Sequence, residues 1–230
     1  MGEIGKGDDA HAAHAHAIPG SRVIAPGELV IMDIGARVAG YCSDITRTFP
    51  ANGKFTGPQR ELYNLVLASQ DAAVAATKAG ARFTDPHDAT VNVLAQGLLD
   101  LGLLNKTKHG NAQDVIEKRA YFPFYMHRTG HWLGMDVHDC GSYVEPTELG
   151  QTSERKDPLS GETIVNRPSR ILREGMVLTI EPGLYVRPAD DVPEAFWNIG
   201  IRIEDDAIVT ADGCELITRG VPVVADEIEA

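Results

Sequence analysis

Acidic and histidine side chains stand beside apolar runs in four separate parts of the sequence. MDIGARVAGYCSDITRTF holds Asp33 and Asp44, HRTGHWLGMDVHD holds three histidines, TIEPGLY holds Glu181, and GIRIEDD holds Glu204. A carboxylate at the inner end of an apolar strand is costly unless it is paired or bound to a cation. One such residue would be typical of a satisfied core or loop side chain. Because the pattern occurs four times, we interpret these positions as parts of one metal site.

The two aspartates of the first motif are predicted to face each other across a hairpin. The segment 37–40 has the glycine and polar content of a turn between two strand-like runs. If the turn is centred between Val38 and Ala39, Asp33 pairs with Asp44, and their Cβ atoms lie about 5 Å apart. Like charges this close require a proton or a cation between them. The alternative is a longer turn with another register, in which both acids flank a surface loop.

The composition of this candidate site favours two hard metal ions. Two cations about 3.5 to 4 Å apart require bridging carboxylates. One imidazole nitrogen among many oxygens favours Mn²⁺, with Co²⁺, Fe²⁺ or Zn²⁺ as alternatives, over a thiolate-rich zinc site. Cys42, Cys140 and Cys214 are scattered without a CxxC pair, which indicates neither a disulfide framework nor a thiolate site.

Bulk composition excludes several classes of protein. The chain has 230 residues, 43% of them hydrophobic, and a net charge of −12. This acidic balance argues against binding to nucleic acid or to an anionic membrane surface and is typical of a soluble enzyme. No apolar run approaches the roughly 18 residues of a membrane span, and no signal peptide opens the chain. We therefore expect a cytoplasmic protein.

The order of predicted elements indicates an α+β domain. Helices are predicted at 58–78, from an N-cap at Asp85, and after a cap at Asn111. Predicted strands are Leu29–Ile34, Tyr41–Thr48, Trp132–Val137, Met176–Ile180, Leu184–Arg187, Ile199–Ile203 and Ala207–Val209. The polar segment 145–169 is predicted to be an excursion loop. Strands, then helices, then strands favour helices packed on one face of a largely antiparallel sheet.

Four motifs in this order resemble the catalytic domain of the aminopeptidase P family. They are MDIGARVAGYCSDITRTFP, GHWLGMDVHD, GMVLTIEPGLY and GIRIEDDAIVT, and the resemblance runs from about Gly27 to the C-terminus. The family shares the pita-bread fold with prolidase, methionine aminopeptidase and creatinase. The resemblance therefore implies a curved, largely antiparallel sheet with helices packed on its outer face.

The resemblance also carries an expectation about domain organisation. Residues 1–230 would be a single metallopeptidase catalytic domain that lacks the first helix and strand of the fold and the family's N-terminal domain. A homo-oligomer, or an assembly with a missing N-terminal portion, would then complete the protein.

The resemblance implies a ligand set for two divalent metal ions. Asp33 would hold one ion, His131 and Glu181 would hold chiefly the other, and Asp44 and Glu204 would bridge them. A water shared by the ions would become the nucleophile, and Glu181 would accept and relay its proton.

Further residues are assigned roles in catalysis or substrate binding by the same resemblance. His138 would stabilise the tetrahedral oxyanion, and His127 would contact substrate on the other side of the scissile bond. Arg202 would brace the bridging glutamate or the substrate. A substrate-pocket histidine ahead of the first metal aspartate has two candidates. Counting back without gaps favours His16, whereas the likeness of GDDAHAAH to a Gly-x-Asn loop favours His14.

The implied activity is hydrolysis of the peptide bond between an N-terminal residue and proline. The substrate would be a peptide with proline at its second position, as for an Xaa-Pro aminopeptidase. Prolidase, which cleaves only Xaa-Pro dipeptides, is the alternative. Methionine aminopeptidase fits the motif wording less well, and creatinase uses the fold without metals. A non-catalytic binding protein on this fold is disfavoured because the ligand set is complete.

Overall fold

The fold consists of short antiparallel strands and two long helices. This structure is a computed structural model that describes residues 23–230 and the backbone of a strand at 3–6, so His14 and His16 lie outside the described residues. The strands are β1 Glu3–Lys6, β2 Leu29–Ile34, β3 Arg37–Val38, β4 Tyr41–Cys42, β5 Ile45–Pro50, β6 Ser153–Lys156, β7 Thr163–Asn166, β8 Val177–Ile180, β9 Gly183–Val186, β10 Ile199–Arg202, β11 Asp205–Val209 and β12 Cys214–Leu216. The helices are α1 Gly57–Ala76, α2 Asp85–Asp100, α3 Lys106–His109, α4 Ala112–Glu117 and α5 Ala225–Ile228.

Every strand pair in the described part of the chain is antiparallel. The orders β1-β2-β5 and β12-β11-β8 form two three-stranded sheets, β9 pairs with β10, and β3-β4 and β6-β7 are hairpins. A single bridge between Thr46 and Glu204 joins β5 to the segment between β10 and β11. The predicted largely antiparallel sheet is therefore present as several pieces that meet near Thr46 and Glu204.

The two long helices cover one side of these strands. A capping box starts α1, because the Thr56 hydroxyl accepts from the Gln59 N–H and the Gln59 side chain accepts from the Thr56 N–H. Leu62 of α1 and Leu98 of α2 are fully buried in one cluster with Ile201 of β10. Each such side chain contributes about 2 kcal/mol of burial free energy. None of the helices in the described residues has the length and apolar composition that a bilayer span requires.

The hairpin between β2 and β5 differs in register from the predicted one. Asp33 lies opposite Thr46, so the predicted pairing of Asp33 with Asp44 is wrong. The turn is formed by Ala39 and Gly40, whose φ angles of 51° and 91° suit a two-residue hairpin turn. It is centred one residue later than predicted. Asp44 consequently lies just before β5, outside the ladder.

Two further details of the predicted elements are wrong. The segment 132–137 is not a strand, because after the bridge from Trp132 the chain turns back and the Asp139 N–H donates to the Trp132 carbonyl at 3.0 Å. Asp85 is the first residue of α2 rather than its N-cap, and its carboxylate accepts from the Arg82 N–H at 2.8 Å. The Asn111 cap of α4 is confirmed.

The predicted excursion loop 145–169 contains a hairpin, β6-β7, and is closed at its base by Glu145. The Glu145 carboxylate is buried and accepts from the Ile171 N–H at 3.0 Å and from the Thr147 hydroxyl at 3.0 Å. Arg173 approaches the same carboxylate at 3.4 Å. These donors lower the pKa of Glu145 to about 2, and the Ile171 N–H has the largest effect.

Glu145→Gln is expected to make the protein less stable at pH 7 but not at about pH 2. The Glu145 pKa is lowered from an unfolded value of about 4.3, so its contribution is present above that pH and disappears as the pH falls through about 2. Urea unfolding at several pH values measures the difference. Glu154→Gln, on the exposed face of β6, is the control and is expected to change little. A constant difference across the pH range would contradict the prediction.

Candidate metal centre

Three buried side chains from different parts of the chain meet where the sheets join. Asp44 precedes β5, His131 follows the turn after Thr129, and Glu204 lies between β10 and β11. One ligand atom from each of Asp44, His131 and Glu204 lies within 4.8 Å of the others. The sequence motifs predicted all three residues, and the structure brings them together.

The His131 ring presents one nitrogen to two carboxylates. Its Nε2 lies 3.6 Å from Asp44 Oδ2 and 3.6 Å from Glu181 Oε1. Its Nδ1 lies 3.0 Å from the Trp132 carbonyl oxygen, which can only accept a hydrogen bond. In the neutral ring the proton is therefore on Nδ1, and Nε2 directs a lone pair toward the carboxylates. This arrangement is typical of a metal-binding histidine.

The electrostatics of the group fit a cation. Burial raises the pKa of Glu181 to about 7 and raises that of Glu204 well above its usual value, and the charges of neighbouring carboxylates add to both shifts. Burial lowers the pKa of His131, but Asp44 and Glu181 hold it above its ordinary value. Carboxylates this crowded bind either protons or a metal ion. The oxygen and nitrogen donors fit a divalent ion.

Two threonine hydroxyls orient the glutamates. Thr46 Oγ1 donates to Glu204 Oε2 at 2.7 Å and accepts from Arg202 Nε at 3.3 Å. Thr179 Oγ1 accepts from the His131 N–H at 3.1 Å and donates to Glu181 Oε1 at 3.5 Å. Sequence reasoning did not identify either threonine, although each lies two residues from a predicted functional residue.

Asp33 and Arg202 form an ion pair beside this group. Arg202 Nη2 lies 2.5 Å from Asp33 Oδ2, and the guanidinium is 3% exposed. Arg202 also donates to the Thr46 hydroxyl, which in turn donates to Glu204. Its predicted role in bracing Glu204 or the substrate stays a prediction. Asp33 is outside the compact group of three, so its role as a metal ligand stays a prediction.

The two remaining predicted histidines flank the centre. His127 is buried, with Nδ1 2.7 Å from the Arg128 carbonyl and Nε2 3.0 Å from the Tyr185 hydroxyl. His138 is exposed and stacks on His131 with ring centroids 3.9 Å apart. Their proposed contacts with substrate stay predictions.

Comparison with known proteins agrees with this geometry. The sequence pattern of metallopeptidase family M24 matches residues 8–211. The chain belongs to metallopeptidase family M24. It is 42% identical over 219 residues to a Haemophilus influenzae Xaa-Pro aminopeptidase, covering 95% of this chain and 45% of the relative. It is 43% identical over 204 residues to an Escherichia coli Xaa-Pro aminopeptidase, covering 89% of this chain and 41% of the relative.

Solved M24 structures establish the fold. Pseudomonas aeruginosa aminopeptidase PepP superposes with a TM-score of 0.83 and 41% identity, covering 99% of this chain and 46% of that one. E. coli aminopeptidase P with the inhibitor Pro-Leu gives a TM-score of 0.82 and 38% identity over the same shares. The predicted α+β pita-bread fold is confirmed. The chain spans less than half the length of these relatives.

A buried carboxylate that sequence reasoning missed positions Asp44, one of the predicted ligands. The Asp206 carboxylate accepts from the Asp44 N–H, with its two oxygens 3.1 and 3.3 Å away. Burial, with the nearby charge of Asp44, raises the pKa of Asp206 to about 7. A signal was present, because Asp206 follows Glu204 by two residues, the spacing that places side chains on one face of a strand.

A buried arginine that sequence reasoning also missed fastens the junction of the sheets. Arg47 Nη1 donates to the carbonyls of Thr46 at 3.0 Å and Glu204 at 2.6 Å. Its Nη2 pairs with Asp205 at 2.8 Å, and its Nε donates to the Pro222 carbonyl at 3.0 Å. Arg47 thus connects β5, the backbone of Glu204 and the C-terminal segment.

A cavity of about 500 Å³ opens beside the candidate metal centre. His131, His138 and Glu181 line it on the side of the centre. Phe83, Tyr143 and Leu178 supply apolar wall on its other sides. The centre is therefore accessible from a space large enough for part of a small peptide.

Thr46→Val is expected to weaken Mn²⁺ binding by about 10-fold or more, because a group that orients a ligand is lost while the side-chain volume is kept. Isothermal titration calorimetry measures the affinity. Thr77→Val is the matched control, since the Thr77 hydroxyl is also buried but donates to the Ala73 carbonyl in α1. Equal Mn²⁺ affinities in the two variants would show that the Thr46 bond to Glu204 does not matter.

Arg47→Met is expected to lower the free energy of unfolding by about 3 to 5 kcal/mol, because it leaves the buried Asp205 carboxylate with one fewer cation. Chemical denaturation measures this loss. In the control variant Lys106→Met, a solvent-exposed pair with Asp100 is removed, and a loss of at most about 1 kcal/mol is expected. The prediction fails if the two variants lose the same stability.

Proposed function

We propose that the protein is a dinuclear metal-dependent aminopeptidase that hydrolyses the bond between an N-terminal residue and proline. The observation that carries the proposal is the buried group of Asp44, His131 and Glu204, with Glu181 against the same imidazole nitrogen. Membership of family M24 and the relatives described as Xaa-Pro aminopeptidases support it. The inhibitor of the E. coli enzyme, Pro-Leu, supports a site that accepts proline.

The proposed ligands are the five residues that the sequence motifs predict: Asp33, Asp44, His131, Glu181 and Glu204. Mn²⁺ is the preferred ion because oxygen donors dominate, with Co²⁺ or Zn²⁺ as alternatives. A carboxylate offers about four lone-pair sites, so the bond from Arg202 to Asp33 does not exclude a ligand role. When bound, the ions would polarise the scissile carbonyl and acidify a water molecule.

The chain itself provides a group that can exchange a proton near neutral pH. Burial is the main cause that raises the pKa of Glu181 to about 7 in the metal-free protein, and the nearby carboxylates add to it. A bound cation beside this carboxylate would lower its pKa, so the role is assigned from the position of Glu181 against the same imidazole nitrogen. We assign to the Glu181 carboxylate the acceptance of a proton from the attacking water and its transfer to the leaving amine.

The histidines next to the centre are suited to stabilise charge and to bind substrate. The exposed ring of His138 is held against His131, where it can donate to the developing oxyanion. His127 is fixed by Arg128 and Tyr185 and is proposed to contact substrate on the other side of the scissile bond. The apolar wall near Phe83 is the proposed surface for the proline ring.

The wider assembly and location of the protein stay predictions. The relatives are more than twice as long as the matched region, so a homo-oligomer or an assembly with a further N-terminal portion is part of the proposal. A cytoplasmic location is proposed from the acidic composition and from the lack of a long apolar run in the sequence.

Glu181→Ala is expected to reduce kcat by at least about 100-fold, the effect of removing a general acid–base, while the folded protein remains. The assay is release of the N-terminal residue from Xaa-Pro-Pro tripeptides by the Mn²⁺-loaded protein, with circular dichroism to check the fold. Glu174→Ala, an exposed glutamate ahead of β8, is the control. Retained turnover in Glu181→Ala would remove the proposed role.

The same assay with an Xaa-Pro dipeptide distinguishes Xaa-Pro aminopeptidase activity from prolidase activity. An Xaa-Pro aminopeptidase is expected to cleave the tripeptide, whereas cleavage of the dipeptide alone would assign prolidase activity. Cleavage of neither peptide, with only trace metal retained after incubation with Mn²⁺, Co²⁺ or Zn²⁺, would overturn the proposed function.

A further inference from the structure

A second cavity lies between the hairpin β6-β7 and the segment 116–128. Its volume is about 850 Å³, and His127 and Tyr125 line it at one end. Arg155 and Ile164, which are opposite each other in the hairpin, line it on the other side. We call this space the basic cleft because of the charges described below.

One ion pair holds the two walls of the basic cleft together. Arg119 Nη1 lies 2.9 Å from Asp157 Oδ1, and the two side chains are only 22% and 12% exposed. The Arg119 guanidinium also lies 4.3 Å from the centroid of the Phe122 ring. The hairpin is therefore fastened to the segment that leads to His127.

The cleft carries positive charge in a chain whose net charge is −12. Arg128, Arg155 and Lys156 line it together with Arg119, whereas Glu117 is the acidic residue on its lining. Within the described residues, Arg155 has no ion pair and no side-chain hydrogen bond, and Arg128 has only a longer-range attraction to Asp88. Lys156 donates to the Thr163 hydroxyl at 2.7 Å, a neutral partner. Unneutralised cations on a concave surface attract carboxylates.

The basic cleft adjoins the cavity beside the candidate metal centre. His87 and Arg128 line both spaces, and His127 is on the wall of the cleft. An aminopeptidase holds the N-terminus of its substrate at the metal ions. The part of a longer peptide that leaves the centre is then the part that follows the proline.

We propose that the basic cleft binds acidic side chains of peptide substrates at positions beyond the proline. Charge complementarity between these carboxylates and the Arg128, Arg155 and Lys156 cations carries the inference. It rests on the proposed function, because the direction of the peptide follows from aminopeptidase action. The hairpin would thereby give the enzyme a preference among peptides of five or more residues, without taking part in the chemistry.

Two amidated pentapeptides test this proposal, Ala-Pro-Gly-Glu-Glu amide and Ala-Pro-Gly-Gln-Gln amide, because amidation removes the terminal carboxylate. The Mn²⁺-loaded protein is expected to cleave the acidic peptide with a kcat/KM about 5-fold higher, the effect of two solvent-exposed ion pairs. The ratio is expected to fall to near one in Arg155→Glu and to persist in Lys78→Glu, an exposed control outside both cavities. Raising the salt concentration should also lower the ratio.

A binding measurement separates failure of this proposal from failure of the proposed function. Fluorescence anisotropy of the two peptides, labelled at their C-termini, measures their affinity for the metal-free protein. Tighter binding of the acidic peptide that is lost in Arg155→Glu would support the basic cleft even if neither peptide were cleaved. Equal binding of both peptides, or a preference unchanged by Arg155→Glu, would overturn the proposal.

Discussion

The crowding of buried carboxylates around one imidazole is the constraint on which the rest of the structure depends. Asp44, Glu181 and Glu204 repel one another, and burial removes the water that would otherwise screen them. Protons or cations must therefore compensate the charge, and both compete for the same oxygens. A metal ion that binds only the folded chain adds its binding free energy to stability. Folding and the proposed metal binding would consequently depend on the same contacts.

The backbone meets this constraint by bringing strand ends from separate small sheets to one point. The segment 129–131 passes so close to β8 that a Cβ at Gly130 would lie 2.0 Å from the Thr179 carbonyl oxygen. Only glycine permits this approach, which sets His131 beside Glu181. Arg47 satisfies the carbonyls where β5 meets the backbone of Glu204. Precise ligand placement therefore comes from buried polar contacts between strands, which are costly to break.

Sequence reasoning succeeded where a residue's environment is local and failed where it depends on distant contacts. Acids beside apolar runs identified Asp44 and Glu204, since the cost of burying a charge can be read from the neighbouring residues. The hairpin register was wrong because Ala39 adopts a positive φ, which its residue type does not reveal. Arg47 and Asp206 were missed because their partners lie more than 150 residues away in the sequence. The hairpin β6-β7 was missed because β6 is exposed and polar and both strands are only four residues long.

The candidate metal centre and the basic cleft are built from different kinds of side chain. They are therefore expected to differ in how well they tolerate substitutions. The metal centre uses buried side chains whose hydrogen bonds also hold the sheets together, so a substitution there changes both binding and stability. The basic cleft uses exposed cations on a hairpin fastened by Arg119 and Asp157. Surface loops on a rigid scaffold tolerate substitution far better than the scaffold itself. The proposed preference for acidic peptides can therefore change through residues such as Arg155 while the proposed metal centre at His131 and Glu181 stays intact.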